Sequence, residues 1–109
     1  MRVALVTGVT SRLRPGFAQA RELGKQGYHV IIGSSERGSA ELLSAELRAE
    51  GLSATPMRLD LGDTAGYTEI AAEVHRRFGR LDALVIEDGR HVKALRAALS
   101  PLLDAVPVA

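Results

Sequence analysis

Short apolar runs that stop at glycine or a turn alternate along this chain with segments of helical period, and that alternation constrains the fold more than any other feature. The run "VALVT", Val3 to Thr7, is continuous and β-branched and ends at Gly8. A strand covered on both faces requires that pattern, whereas a half-exposed strand would alternate apolar and polar residues. From Phe17 to Gly27 the period becomes helical, with Phe17, Ala20 and Leu23 on one side and Gly27 as the stop. "YHVIIG" is a second buried strand, and Ser39 is the expected N-cap of "AELLSAELRAE", where Leu43 and Leu47 stand four apart. "TPMRLDL" is a third strand. Its Pro56 has no N–H for a ladder and assigns it to a sheet edge. Asp63 is the expected cap of a helix carrying Tyr67, Ile70, Val74 and Phe78, and Gly79 ends that helix. "LDALVI", Leu81 to Ile86, is a fourth strand, and "HVKALRAALSPLLDAV" puts Val92, Leu95 and Leu99 on one stripe before Pro101 interrupts it.

Strands alternating with helices predict an α/β fold with a parallel sheet, and right-handed crossovers limit its winding. With the third strand at an edge, the expectation is a three-layer, Rossmann-like half fold. Its four strands take the order 3-2-1-4, with helices on both faces. The winding reverses between the first and fourth strands, so a ligand crevice is expected at their C-terminal ends, between the loops after Thr7 and Ile86.

A length of 109 residues predicts a single domain over 1–109. A formal charge of +1 offers nothing to attract nucleic acid or an acidic membrane. The chain has no cysteine, which removes disulfides and thiolate ligands, and His29, His75 and His91 lack metal-ligand spacing, so no metal site is expected. No run approaches the ~18 apolar residues of a membrane span, and the N-terminal run is too short for a signal peptide. The expected location is the cytoplasm.

Several ordered motifs in residues 2 to 89 resemble the N-terminal part of the short-chain dehydrogenase/reductase family: "ALVTG", "ARELGKQGYHVIIGS", "LDLGD" and "FGRLDALV". The resemblance implies a dinucleotide site built on the turn pattern TGxxxGxG. Thr7 and Gly8 match its start, Gly16 matches its last glycine, and Thr10, Arg12 and Arg14 lie in a loop two residues longer than the family's. Arg14 falls at the middle glycine, where the backbone must approach the pyrophosphate and a side chain obstructs it. A helix N-terminus still offers free N–H groups to an anion. The two arginines are read either as an added anion clamp or as solvated residues on an enlarged loop, and the steric loss predicts weakened binding.

The resemblance also ranks the cofactors. Ser34 stands at the position that is acidic in NAD-preferring relatives, and Arg37 could face a 2'-phosphate or belong to an ordinary polar loop. NADP is therefore expected over NAD. Asp60, followed by Leu61, matches the family aspartate near the adenine amino group, with a strand-end turn former as the alternative. The family's NNAG is replaced by Ile86, Glu87, Asp88 and Gly89, of which only Gly89 is retained. An ion pair between Arg12 or Arg14 and Glu87 or Asp88 is the companion expectation. The family's catalytic Tyr-x-x-x-Lys pair is absent from these 109 residues, since Tyr67 is followed by Ala71 where lysine would stand and Tyr28 begins a strand.

Two functions follow as expectations. One is a truncated relative that binds NADP weakly and transfers no hydride by itself. The other is an interaction module, forming a homo-oligomer or pairing with a full-length relative through a strand-4 side and a Val92, Leu95, Leu99 and Leu102 stripe that are expected to be partly uncovered.

Overall fold

The computed structural model describes residues 1–9, 15–60, 62–86 and 92–100. Strand β1 (Arg2–Thr7) is followed by α1 (Pro15–Lys25), β2 (Tyr28–Ser34), α2 (Arg37–Ala49), β3 (Ala54–Arg58), a 3-10 turn (Thr64–Gly66), α3 (Tyr67–Phe78), β4 (Ala83–Ile86) and α4 (Val92–Leu99). Every pairing is parallel, and the strands lie in the expected order β3-β2-β1-β4. Pro56 sits in the middle of β3, the edge strand, opposite Ile32.

The two sheet faces are separated by the strand alternation of side chains. Val3, Leu5, Ile31, Met57 and Leu84 point to one face and pack with Tyr67 and Val74 of α3 and Leu95 and Leu99 of α4. Val6, Val30, Ile32 and Ala54 point to the other and pack with Phe17 and Ala20 of α1 and Leu43 and Leu47 of α2. The continuous apolar runs in the sequence are thus strands buried on both sides by a helix layer.

Helix boundaries depart from the sequence reading in two places. Ser39 is not the N-cap of α2. The backbone is extended at Glu36, with φ −102° and ψ 110°, so the helix begins at Arg37 directly after β2. Ser39 lies inside the first turn and its hydroxyl donates to Glu36 Oε2 at 3.0 Å. Asp63 likewise does not cap α3. Its carbonyl accepts the N–H of Gly66 at 3.1 Å in the 3-10 turn, and Gly66 precedes α3. Gly79 does terminate α3: its φ of 74° is left-handed, and its N–H reaches the carbonyls of Val74 and His75.

The expected exposure of the α4 stripe is corrected too. Leu95 and Leu99 are fully buried, because α4 folds back beside α3 and completes the core under β1 and β4. Leu102 lies outside the described residues.

At the N-terminal edge of the sheet, Asp82 joins β4 to β1. Its N–H donates to the Val3 carbonyl at 2.7 Å, and its Oδ2 accepts the Val3 N–H at 2.8 Å. Arg80 donates to both oxygens of the same carboxylate, Nε to Oδ2 at 2.8 Å and Nη2 to Oδ1 at 2.6 Å. Nothing in the sequence reading singled out Asp82. Its signal was a charged residue wedged between apolar neighbours at the start of a buried strand.

Candidate functional site

The register aligns the C-terminal ends of the strands. Thr7 lies opposite both Gly33 and Ile86, and Ser34 lies opposite Arg58, so all four strands end on one line. The winding reverses between β1 and β4, so the expected ligand position is at the C-terminal ends of these two strands.

Thr7 is fully buried, and its hydroxyl donates to the Val85 carbonyl at 3.3 Å, tying β1 and β4 together at their C-terminal ends. Gly8 follows with φ of 77°, a left-handed conformation that carries a heavy steric penalty for any residue with a Cβ. The turn is then pinned by Val9, fully buried, whose N–H donates to the Gly33 carbonyl at 3.3 Å. Sequence reasoning overlooked Val9, an apolar residue inside a glycine-rich loop, and its role emerges only from the backbone bond to β2.

Helix α1 starts at Pro15, where a missing N–H costs nothing because the first helical donors have no intrahelical acceptor. Gly16 is buried in the first turn, as a close approach of helix to strand demands. Pro15 borders a cavity together with Val85 and Ile86, which puts the start of α1 beside the end of β4. The first-turn N–H groups and their partial positive charge are the feature of this edge suited to an anion. Thr10, Arg12 and Arg14, the loop between Gly8 and this helix, lie outside the described residues, as do Leu61, Glu87, Asp88 and Gly89.

The structure brings Thr7, Gly8, Gly16, Ser34 and Asp60 to one edge of the sheet. Ser34 is fully buried at the end of β2, and its Oγ accepts the Glu36 N–H at 3.2 Å. The position therefore holds a small neutral group engaged with its own turn. Asp60 is exposed just beyond β3, with Oδ1 accepting the Gly62 N–H at 2.9 Å and its carbonyl accepting the Asp63 N–H at 3.0 Å. That is the turn-forming geometry.

Arg37 stands apart from this group. It is the first residue of α2, its Nε donates to Glu41 Oε1 at 3.1 Å, and both side chains are largely exposed. It borders a groove of about 340 Å³ along the β3 edge, with Pro56, Arg58, Ile70, Glu73 and Arg77. Such an exposed pair is weak enough, about 0 to 1 kcal/mol, to be released by a competing phosphate.

A parallel 3-2-1-4 sheet with a left-handed glycine turn leading into a helix N-terminus defines a Rossmann-type, nucleotide-binding class of fold. The family model described as short chain dehydrogenase matches residues 2–101, and the chain belongs to that family. It is 38% identical over 99 residues to a ketoacyl reductase assigned to the monensin polyketide synthase of Streptomyces virginiae, covering 91% of this chain and 37% of that protein. It is 36% identical over 88 residues to human dehydrogenase/reductase SDR family member 2, mitochondrial, covering 81% of this chain and 31% of that protein. Among solved structures, the actinorhodin polyketide ketoreductase F189W variant with NADPH superposes with a TM-score of 0.81 at 26% identity, over 90% of this chain and 46% of that one. A metagenomic short-chain oxidoreductase in complex with NADP gives a TM-score of 0.84 at 24% identity, over 93% of this chain and 56% of that one. The chain spans about a third of the length of the curated relatives it matches.

Proposed function

We propose that these 109 residues form one dinucleotide-binding unit of NADP type, weakened at its phosphate turn and unable to transfer hydride by itself. The observation that carries this reading is the composition of the shared sheet edge. Gly8, left-handed after β1, and Gly16, buried in the first turn of α1, flank the proposed phosphate turn, and the end of β2 carries buried, neutral Ser34 where a carboxylate would repel a 2'-phosphate. The ketoreductase solved with NADPH, 26% identical, supports the same cofactor. Arg12 and Arg14 in the turn, and Arg37 once released from Glu41, are the cations proposed to meet phosphate. The bulk of Arg14 at a close-approach position sets the affinity low. The tyrosines do not serve chemistry: Tyr67 is buried in the core with Ala71 four residues on, and Tyr28 lies half-buried beneath the Arg2 guanidinium at 4.3 Å.

Calorimetric titration with NADPH and NADH at low and moderate salt tests this. NADPH is expected to bind with a dissociation constant on the order of 0.1 mM, more weakly as salt rises, and NADH more weakly still. Equal or tighter NADH binding, or no heat from either nucleotide, refutes the cofactor reading. Oxidation of NADPH by the purified chain with a panel of carbonyl compounds refutes the catalytic one.

A second reading is favoured by one feature. Among the described residues β4 pairs only with β1, and its outer side borders a cavity of about 530 Å³ lined by Pro15, Leu23, Val85 and Ile86 with Gln19 and Glu22. "ALVI" has no proline or charge to blunt it, unlike the Pro56 edge, so a strand from a second copy or from a relative could add there. Light scattering at high concentration tests it, and a monomer with no copurifying partner counts against it.

A further inference from the structure

At the opposite edge of the sheet from the crevice, His29 of β2 is engaged at both ring nitrogens by hydroxyls of the β3 side. Nδ1 lies 2.5 Å from Ser53 Oγ, and Nε2 lies 2.7 Å from Thr55 Oγ1. Its ring also packs on Phe78, the last residue of α3, with centroids 5.0 Å apart. The same Phe78 ring carries the Arg77 guanidinium at 5.4 Å. One imidazole therefore joins β2, β3 and the C-terminal turn of α3, and it shares an aromatic partner with a fixed cation. We propose that His29 is a protonation-sensitive latch: neutral, it holds Phe78 and Arg77 against the base of the sheet, and protonated, it displaces Arg77 and loosens the last turn of α3.

The groups around the ring give the proposal its sign. Ser53 and Thr55 from the β3 side are uncharged. From β1 the register partner is Val3, whose N–H is occupied by Asp82, itself paired with Arg80. From α3 the charged neighbour is Arg77. Burial, and then the Arg77 charge, hold the His29 pKa below its ordinary value. The hydroxyls accept as readily as they donate, so protonation breaks neither hydrogen bond, and the conflict falls on the two cations at one phenyl ring. Arg77 is the exposed, mobile-stemmed member and is the one to leave. It also lines the β3-edge groove, so the latch changes the charge of that groove as it opens.

Because the folded pKa lies below the unfolded one, about 6.5, the folded state binds fewer protons. Stability therefore falls as pH drops through the unfolded value toward the folded one. The test is an NMR titration of the 109-residue chain from about pH 8 to about pH 4.5, following the His29 ring, the Arg77 Nε–H and the Phe78 ring. The latch requires His29 to titrate below the ordinary histidine value and the Arg77 and Phe78 signals to move with that same midpoint. A His29 midpoint at or above the ordinary value, or an Arg77 signal indifferent to it, overturns the proposal. In denaturant melts, H29Q is expected to remove at least half of the stability lost between about pH 7.5 and about pH 5. Equal pH dependence in H29Q and the unaltered chain is equally fatal, and if H29Q does not fold the titration alone decides.

Discussion

Removing the Asp82 side chain isolates one contact whose energy can be built from its parts. D82A deletes the acceptor for the Val3 N–H, and Val3 is fully buried, so that donor is left without a partner in the core. An orphaned buried backbone N–H costs about 1 to 3 kcal/mol. The Arg80 pair is also lost, but the Arg80 side chain is 47% exposed, so solvent screening limits that part to about 0 to 1 kcal/mol. The sum is about 1 to 4 kcal/mol, which for a domain of this size lowers the melting temperature by roughly 4 to 30 °C. D82N keeps an oxygen that can accept from Val3 and loses only the charge, so it is expected to cost about 1 kcal/mol. The assay is a denaturant melt of the three proteins at constant slope. Equal losses in D82A and D82N would refute the assignment of most of the energy to the Val3 N–H.

The same site has a pH signature. Arg80, and next the Val3 N–H, hold the Asp82 carboxyl below the usual aspartate value, against an opposing effect of burial. A depressed folded pKa stabilises the fold above the unfolded value, about 3.9, and that stabilisation is lost as pH falls through the folded value. The gap between D82N and the unaltered chain is therefore expected to be constant near neutrality and to close below about pH 4.

Two further outcomes are expected. Ser44 is fully buried on the core side of α2, and its hydroxyl has no hydrogen-bond partner among the described residues, so S44A is expected to raise stability by about 0.5 to 1.5 kcal/mol in the same melts. G79A places a Cβ at φ of 74° with open space around it, so only backbone strain acts, and a loss of about 1 to 2 kcal/mol is expected without change in the denaturant slope.

The alternation of "VALVT", "YHVIIG" and "LDALVI" with helical stripes was enough to write down the architecture. Strand burial on two faces, the Pro56 edge and the right-handed crossover are local or near-local constraints. The turn at Gly8 and the stop at Gly79 were legible for the same reason, because a positive φ selects glycine whatever surrounds it. The resemblance carried by "ALVTG" and by "FAQARELGKQG" assigned Thr7, Gly8 and Gly16 to the expected turn, and the strand register puts Thr7 and Ser34 at the same edge of the sheet.

What tertiary structure decided lies where one residue's role depends on a distant partner. Leu95 and Leu99 read as part of a partly uncovered stripe until α4 is seen folded against α3, and Ser39 read as a cap until the extended backbone at Glu36 moved the helix start. Arg37 could face a 2'-phosphate or belong to an ordinary polar loop, and the fold puts it at the start of α2, paired with Glu41. Asp82 with Val3, and His29 with Ser53, Thr55 and Phe78, join residues from different strands and helices. Period and punctuation report what each segment needs from its own backbone, whereas the pairing of polar side chains is chosen only once the sheet has brought their elements together.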